Sequence, residues 1–317
     1  MPRPNDANHA FTSLKLPQET AVNTEFSPLP FVKMHGLGND FVILDLRGGK
    51  PVPTPGLARA IADRRRGIGF DQLITIEDEK HPQMSAYMGI FNPDGSRSGA
   101  CGNATRCVAH ILMEETESDA LTLRTDFGPL ACWRAEDGMV KVNMGKPKLA
   151  WEDIPVAEAS DTVRIDVKLG PIDNPSLWGP GAVNMGNPHA VFFVEDAEAV
   201  PVDKLGPMIE NHPMFPERTN VEFCHVVDSG RIRMRVWERG AGVTQACGSG
   251  ACAAVVAGVR RELIDRKCVV ELDGGPLTIE WEDNDNVMMT GPVATSFWGE
   301  IGQDILAEAK REDVTAS

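Results

Sequence analysis

One phrase occurs twice in this 317-residue chain, and the repetition limits what the chain can fold into. Ala100-Cys101-Gly102-Asn103 and Ala246-Cys247-Gly248-Ser249 each run into an apolar stretch, and an aromatic residue, Phe91 or Trp237, stands ten positions before each cysteine. The echo continues at nearly constant offset. Thr125-Asp126-Phe127-Gly128-Pro129-Leu130 answers Leu272-Asp273-Gly274-Gly275-Pro276-Leu277, and Gly38-Asn39 answers Gly186-Asn187. Self-similarity at a fixed spacing marks one structural unit written twice. The length agrees, because it suits two domains that each bury a core. Halves packed about a pseudo-twofold axis bring equivalent residues to a shared cleft from opposite sides, so the two cysteines are expected to face each other across a substrate.

The composition narrows the partners. A net charge of −15, with basic runs only at Arg64-Arg65-Arg66 and Arg260-Arg261, argues against nucleic acid, which selects a clustered basic surface. The longest apolar run, Ala251 to Val259, falls far short of the roughly 20 residues that span a bilayer, so no membrane partner is expected. Residues 1–30 contain Asp6, Glu19, Glu25 and several prolines without a continuous apolar run, which fits neither a signal nor a transit peptide; a disordered extension is expected there. Seven cysteines, an odd number, point to a reducing cytoplasm and free thiols rather than a disulfide framework.

Alternating apolar residues predict strands on both sides of a Gly-Asn turn between Phe31 and Asp45, and further strands at 72–77, 86–91, 122–125, 130–134 and 140–144. Helical spacing predicts helices over 55–66 and 101–114. The second half repeats the order, with strands at 190–194, 221–227 and 232–237 and a helix from Gly248 to about Leu263. Many short strands around one buried helix per half imply an α+β (mixed α/β) fold. Each of two similar domains is then a mixed or antiparallel sheet curled around a central helix. The expected boundaries are 1–30 for the extension, 31–148 for the first domain, completed by 294–317, and 149–293 for the second.

Both cysteines fall at a predicted helix start, where unpaired backbone N–H groups and the positive end of the dipole favour negative charge. A thiol there is expected to have a lowered pKa. The free N–H groups of Gly102, Asn103, Gly248 and Ser249 can hold a carboxylate. Each half thus offers a thiol base and an anion cradle in one turn. Inversion at a carbon bearing a weakly acidic proton needs a base on one face, an acid on the other, and donors for the charge that develops on the carboxylate. Taken alone, each cysteine reads more readily as a small buried hydrophobe, as Cys107, Cys132, Cys252 and Cys268 still do; the matched context of Cys101 and Cys247 reverses that. The spacing of Cys101, Cys107, Cys247 and Cys252 does not suit a structural zinc knuckle, and no metal is expected.

Seven ordered phrases then resemble one family. They are His35-Gly36-Leu37-Gly38-Asn39-Asp40-Phe41, Asn92-Pro93-Asp94-Gly95-Ser96, Cys101-Gly102-Asn103, Met185-Gly186-Asn187-Pro188-His189, Arg218-Thr219-Asn220, Glu238-Arg239-Gly240-Ala241-Gly242 and Ala246-Cys247-Gly248-Ser249-Gly250. Together, over about residues 31–301, they are similar to diaminopimelate epimerase. The resemblance implies interconversion of LL- and meso-2,6-diaminopimelate in lysine biosynthesis with no cofactor, neither pyridoxal phosphate nor metal. Carried onto this sequence, it implies that Cys101 and Cys247 are the acid/base pair and that His189 and Glu238 tune their pKa values. It also implies that Asn39, Gln72, Asn92, Gly102, Asn103, Asn187, Asn220, Glu238, Arg239, Gly248 and Ser249 bind substrate. Ser249, Trp237 and Val243 stand where Thr, Tyr and Glu are usual in the family.

Proline or hydroxyproline racemase relatives also use two cysteines, but their cyclic substrate has no second ammonium and carboxylate for Asn92, Asn187, Asn220 and Arg239. Phenazine-biosynthesis isomerases lack the cysteine pair. A non-catalytic thiol redox or metal-binding protein would need the thiols without the amides. The expected partner is a small amino acid, and the oligomeric state stays open, a homodimer being one option.

Overall fold

The computed structural model describes residues 29–316 except Ala100, Ile172, Asn174 and Pro175. The extension expected over 1–30 therefore lies outside the described residues up to position 28. Leu29 and Pro30 instead open a strand, because they pair with Ile301 and Glu300.

In the first half, Leu29–Gly36 (β1) and Asn39–Asp45 (β2) form a hairpin, and β2 lies parallel to Gln72–Glu77 (β3). Next come Ala86–Phe91 (β4), antiparallel to β3, and Ala120–Thr125 (β5), parallel to β4. Gly128–Arg134 (β6) and Val140–Asn143 (β7) complete the run as antiparallel neighbours. A two-stranded ribbon, Lys168–Leu169 (β8) with Leu177–Trp178 (β9), precedes the second half.

The second half repeats the first step for step. Gly181–Asn184 (β10) pairs antiparallel with Pro188–Phe193 (β11), which lies parallel to Asn220–Asp228 (β12). Arg231–Glu238 (β13) is antiparallel to β12 and carries the short Gly242–Val243 (β14) on one side. Lys267–Leu272 (β15) is parallel to β13, and Gly275–Trp281 (β16) and Val287–Gly291 (β17) follow antiparallel. The repeated Gly-Pro phrase marks the same hairpin in both halves, with Thr125 opposite Gly128 and Leu272 opposite Gly275. β17 pairs antiparallel with β7, Met288 opposite Asn143, so the two sheets join edge to edge. Ala294–Ile301 (β18) returns to pair with β1.

Five α-helices stand among the described residues: Pro55–Ala62 (α1), Gly102–Thr116 (α2), Val202–Glu210 (α3), Gly248–Arg260 (α4) and Gln303–Ala316 (α5). α2 and α4 lie on the inner faces of the two halves and share one apolar core, with Val108 and Leu112 of α2 and Val255 and Val256 of α4 buried in it. α1 and α5 cover the outer face of the first half over Val42, Leu44, Leu73 and Ile301, and α3 covers the second over Phe192 and Phe223. Inner and outer cover explain why β2 reads as a continuous apolar run: Phe41 and Ile43 face α2 while Val42 and Leu44 face the outer layer. α4 is built from Gly, Ala and Val, and every residue from Gly250 to Gly258 is buried, so packing rather than intrinsic propensity holds it helical.

α1 stops at Ala62, short of the expected Arg66. The Asp63 carboxylate accepts from the N–H groups of Arg65 (2.8 Å) and Arg66 (3.0 Å), and this local alternative to the helical ladder ends the helix. α4 likewise ends at Arg260 rather than near Leu263, because Glu262 takes a left-handed conformation (φ 57°).

Candidate active site

Both cysteines are helix N-caps. Cys101 has extended backbone (φ −152°, ψ 104°), and its sulfur accepts from the Ala104 N–H at 3.5 Å. Cys247 repeats this at the start of α4 (φ −111°, ψ 108°), accepting from Gly250 N at 3.4 Å. Using a thiol where Ser, Thr, Asp or Asn is usual leaves each sulfur at the positive end of a helix.

The two turns meet. Asn103 Nδ2 donates to the Asn39 side-chain oxygen (3.2 Å) and to the carbonyl of Ala246 (3.0 Å), the residue before Cys247. The Asn39 oxygen also lies 3.9 Å from Cys101 Sγ. A Cβ on Gly102 would come within 2.8 Å of Met289 Cε, and one on Gly248 within 2.9 Å of Met289 Sδ. A single methionine thus lies against both helix starts, and a Cβ on either glycine would have to push its flexible end aside.

The other sequence-predicted residues gather on either side of this junction. On the first side, Asp71 accepts from Asn39 Nδ2 (2.9 Å) and Gln72 Nε2 donates to Asn92 Oδ1 (3.4 Å). Asp40, next to Asn39, binds Lys33 and Arg64. Its partial burial works to raise its pKa, but hydrogen bonds from Arg64 and Lys33 outweigh that and hold it at about 2. On the second side, His189 touches Asn187 Oδ1 through Nε2 (2.9 Å). Asn220 donates to the Pro188 carbonyl (2.8 Å) and accepts from the Arg239 N–H (2.9 Å). Arg239 Nη1 reaches the Glu217 carbonyl (3.0 Å), and Ser249 Oγ lies 3.6 Å from Cys247 Sγ. Glu238 accepts from Thr244 and from the Cys247 thiol; burial nevertheless pushes its carboxyl up.

The thiols depart from the sequence expectation. The N–H contacts at each helix start do lower them, but burial works more strongly in the opposite direction. Cys101 is pushed up to about 11, chiefly by loss of solvent, with the Glu238 carboxylate adding to it. Cys247 is raised well above its ordinary value by burial, then by Glu238 and Glu222. A helix terminus is worth a fraction of what removing water from an anion costs, so position alone does not make a thiolate.

Glu222 was not singled out from sequence. It is fully buried, its Oε1 lies 2.7 Å from His189 Nδ1, and a Cβ on Gly250 would sit 2.7 Å from the same oxygen. Its Oε2 has no hydrogen-bond partner. A readable signal existed: Glu222 is two residues from Asn220 on β12, so both face the same way, and its neighbours Val221, Phe223 and Cys224 are apolar. Among the described residues, no group of three or more His, Cys, Asp or Glu side chains is placed to hold a metal ion. Among the described residues no helix is long and apolar enough to cross a membrane.

Comparisons with known proteins bear on this arrangement. The family model described as diaminopimelate epimerase matches residues 31–150 and 181–296. A diaminopimelate epimerase of Rhodospirillum centenum is 52% identical over 277 residues, covering 87% of this chain and 93% of the relative. One of Acidiphilium cryptum is 51% identical over 278 residues, covering 88% and 98%. Among solved structures, a phenazine biosynthesis protein of the PhzF family from Enterococcus faecalis aligns with a TM-score of 0.64 at 17% identity, covering 87% of this chain and all of that one. A hydroxyproline epimerase from Agrobacterium vitis aligns with a TM-score of 0.62 at 16% identity, covering 89% and 94%. At such identities the structures share the fold alone. The family model and the close relatives, which span the paired cysteine turns and the amides around them, show that this chain belongs to the diaminopimelate epimerase family.

Proposed function

We propose that this chain is an isomerase that interconverts LL-2,6-diaminopimelate and meso-2,6-diaminopimelate without a cofactor, in the cytoplasm, on the route to lysine and peptidoglycan precursors. The observation that carries the reading is the junction at Asn103, which ties the turn bearing Cys101 to the turn bearing Cys247 through the Ala246 carbonyl. Two helix starts, each with a thiol, converge on one place.

In this reading the backbone N–H groups of Gly102, Asn103, Gly248 and Ser249 hold the carboxylate at the reacting carbon. One cysteine, as thiolate, removes the α-proton from one face while the other, as thiol, delivers a proton to the opposite face. The pair exchanges roles and the substrate leaves inverted, with one proton taken and one given. Burial serves the chemistry, because a desolvated thiolate is a stronger base than an exposed one. Asn39, Gln72, Asn92, Asn187 and Asn220 supply neutral donors and acceptors for the distal ammonium and carboxylate, Arg239 a planar fork for the carboxylate, and Glu238 an anion for an ammonium. His189, backed by Glu222, and Glu238 set the charge around Cys247. The distal polar set favours this acyclic substrate over a cyclic imino acid.

Proton NMR of LL-diaminopimelate with the reduced enzyme in deuterated buffer tests the reading. α-Deuterium incorporation together with meso product is expected, and none with proline. Cys101→Ala and Cys247→Ala should each lower epimerisation at least about 100-fold, the low end of what a lost acid or base costs. Near-normal turnover by either variant would refute the two-base assignment.

The reading extends to a homodimer. One end of the sheet is covered, with the outer edge of β10 taken up by Lys148 and Thr162, whereas among the described residues nothing pairs with the outer edge of β18 at the other end, where Phe297 and Trp298 are exposed. A second copy laid along β18 would cover that edge.

A further inference from the structure

Glu210 is the last residue of α3, and two things make a carboxylate costly there. It is buried, with 5% of its surface exposed, and the C-terminal end of a helix carries the negative end of the dipole. Both of its oxygens are nevertheless filled. Oε2 accepts from Trp237 Nε1 at 2.7 Å, and Oε1 accepts from the Gly240 N–H at 3.1 Å and from Arg218 Nη1 at 3.3 Å. Hydrogen bonds to a charged acceptor are the strong ones, and three of them converge on a group withdrawn from water.

The three donors flank the residues assigned to the far end of the substrate. Arg218 lies two positions before Asn220, Trp237 directly before Glu238, and Gly240 directly after Arg239. Residues 238–241 form a turn, closed by the Ala241 N–H on the Glu238 carbonyl at 3.0 Å, with Gly240 at φ 77°, where glycine is favoured. The Gly240 N–H takes no part in closing that turn and donates to Glu210 instead. Arg239 is thereby fixed from both sides, because its own N–H donates to Asn220 Oδ1 at 2.9 Å. Glu238 has anchors of its own, the Thr244 hydroxyl and the pairing with Gly242. The indole is pinned as well: α3 lies so close that a Cβ on Gly206 would stand 2.4 Å from Trp237 Cγ.

We propose that Glu210 is a positioning residue for recognition of the distal end of the substrate: its carboxylate clamps the turn that carries Arg239 to the start of β12 that carries Asn220, with Trp237 as the donor that locks the clamp to α3. This rests on the reading above, which assigns the distal ammonium and carboxylate to these residues. None of the three hydrogen bonds reaches a cysteine-bearing turn. A device that orders the distal site acts equally on bound substrate and transition state, so its loss is read in KM and not in kcat.

The test joins steady-state epimerisation of LL-diaminopimelate to hydrogen exchange of the reduced, substrate-free, full-length protein, followed by mass spectrometry. Glu210→Gln keeps the shape but removes the charge and turns an NH2 group toward one set of donors. KM should rise about tenfold or more, the scale of a lost hydrogen bond to a charged group, with kcat within about twofold of wild type. Segment 238–242 should exchange about tenfold faster while α2 and α4 exchange at the wild-type rate. Trp237→Phe, which removes one donor and keeps a ring, should move both readouts the same way. The double variant should fall well short of the product of the two single effects, because both act through one hydrogen bond. Loss of kcat at unchanged KM, wild-type exchange over 238–242 in folded Glu210→Gln, or single effects that multiply would each overturn the clamp. Should Glu210→Gln not fold, Trp237→Phe decides by the same readouts. Failure of the substrate reading shows separately, as a wild-type protein that leaves LL-diaminopimelate unchanged, and hydrogen exchange then still judges the clamp.

Discussion

At the scale of single residues, the site is a contest between burial and charge at two sulfurs. Both sit where a helix favours an anion, and both are raised because water is absent. Cys247 is raised first by burial, then by Glu238, which also acts on Cys101, and by Glu222, which acts on Cys247 and not on Cys101. Glu222→Gln keeps the shape and an acceptor for His189 Nδ1 while removing one negative charge. A lost negative neighbour makes a second anion easier to form, so the Cys247 midpoint should fall by about one pH unit. Cys101, which Glu222 does not face, should stay in place. Alkylation across pH of the reduced variant reads both at once, and an unmoved Cys247 midpoint would remove Glu222 from the electrostatics of that thiol.

At the scale of elements, a turn-to-turn contact links the halves beside the β7–β17 pairing and the core shared by α2 and α4. Gly274, in the β15–β16 hairpin, donates to the Gln245 carbonyl (2.8 Å), and a Cβ there would overlap the Leu37 carbonyl oxygen in the β1–β2 turn. Backbone meets backbone, so no side chain can rotate away. Gly274→Ala should therefore destabilise the protein by about 1–3 kcal/mol, the usual cost of overpacking, as a lower urea midpoint with an unchanged slope. The same scale divides what the sequence reveals from what it hides. The hairpins were legible because Gly-Pro and Gly-Asn repeat at nearly fixed offset, and both cysteine-bearing helix starts because glycine follows each cysteine. The end of α1 was not, because Asp63 bonding to Arg65 and Arg66 competes with a helix that periodicity alone would continue. Thiol acidity was misjudged because burial depends on which elements cover the turn, a long-range fact that local spacing does not carry. Arg106 carries no signal in the sequence, since its burial appears only once Gly36 and Gly291 close around it.

At the scale of the whole molecule, a continuous sheet path runs from the covered edge at β10 to β18, whose outer edge has no partner strand among the described residues. Phe297 and Trp298, on opposite faces of that edge strand, have 46% and 63% of their surface exposed among the described residues, apolar area that a second copy can cover. Light scattering should give about twice the 34.4 kDa chain mass at micromolar concentration, and Trp298→Lys should return the protein to a single chain. Since each copy carries a net charge of −15, added salt should tighten the pair by screening their repulsion. A monomer under all these conditions would dismiss the arrangement.

Duplicated units ordinarily drift apart, because a change in one copy is invisible to the other. Met289 removes that freedom at the centre of this protein. It lies on β17, the strand that joins the halves, and presses on the residue after Cys101 and on the residue after Cys247. A substitution there is felt by both copies in one step, as a change on the twofold axis of a homodimer is felt by both subunits. The position therefore behaves as though it still belonged to the symmetric ancestor, while its surroundings have become unequal.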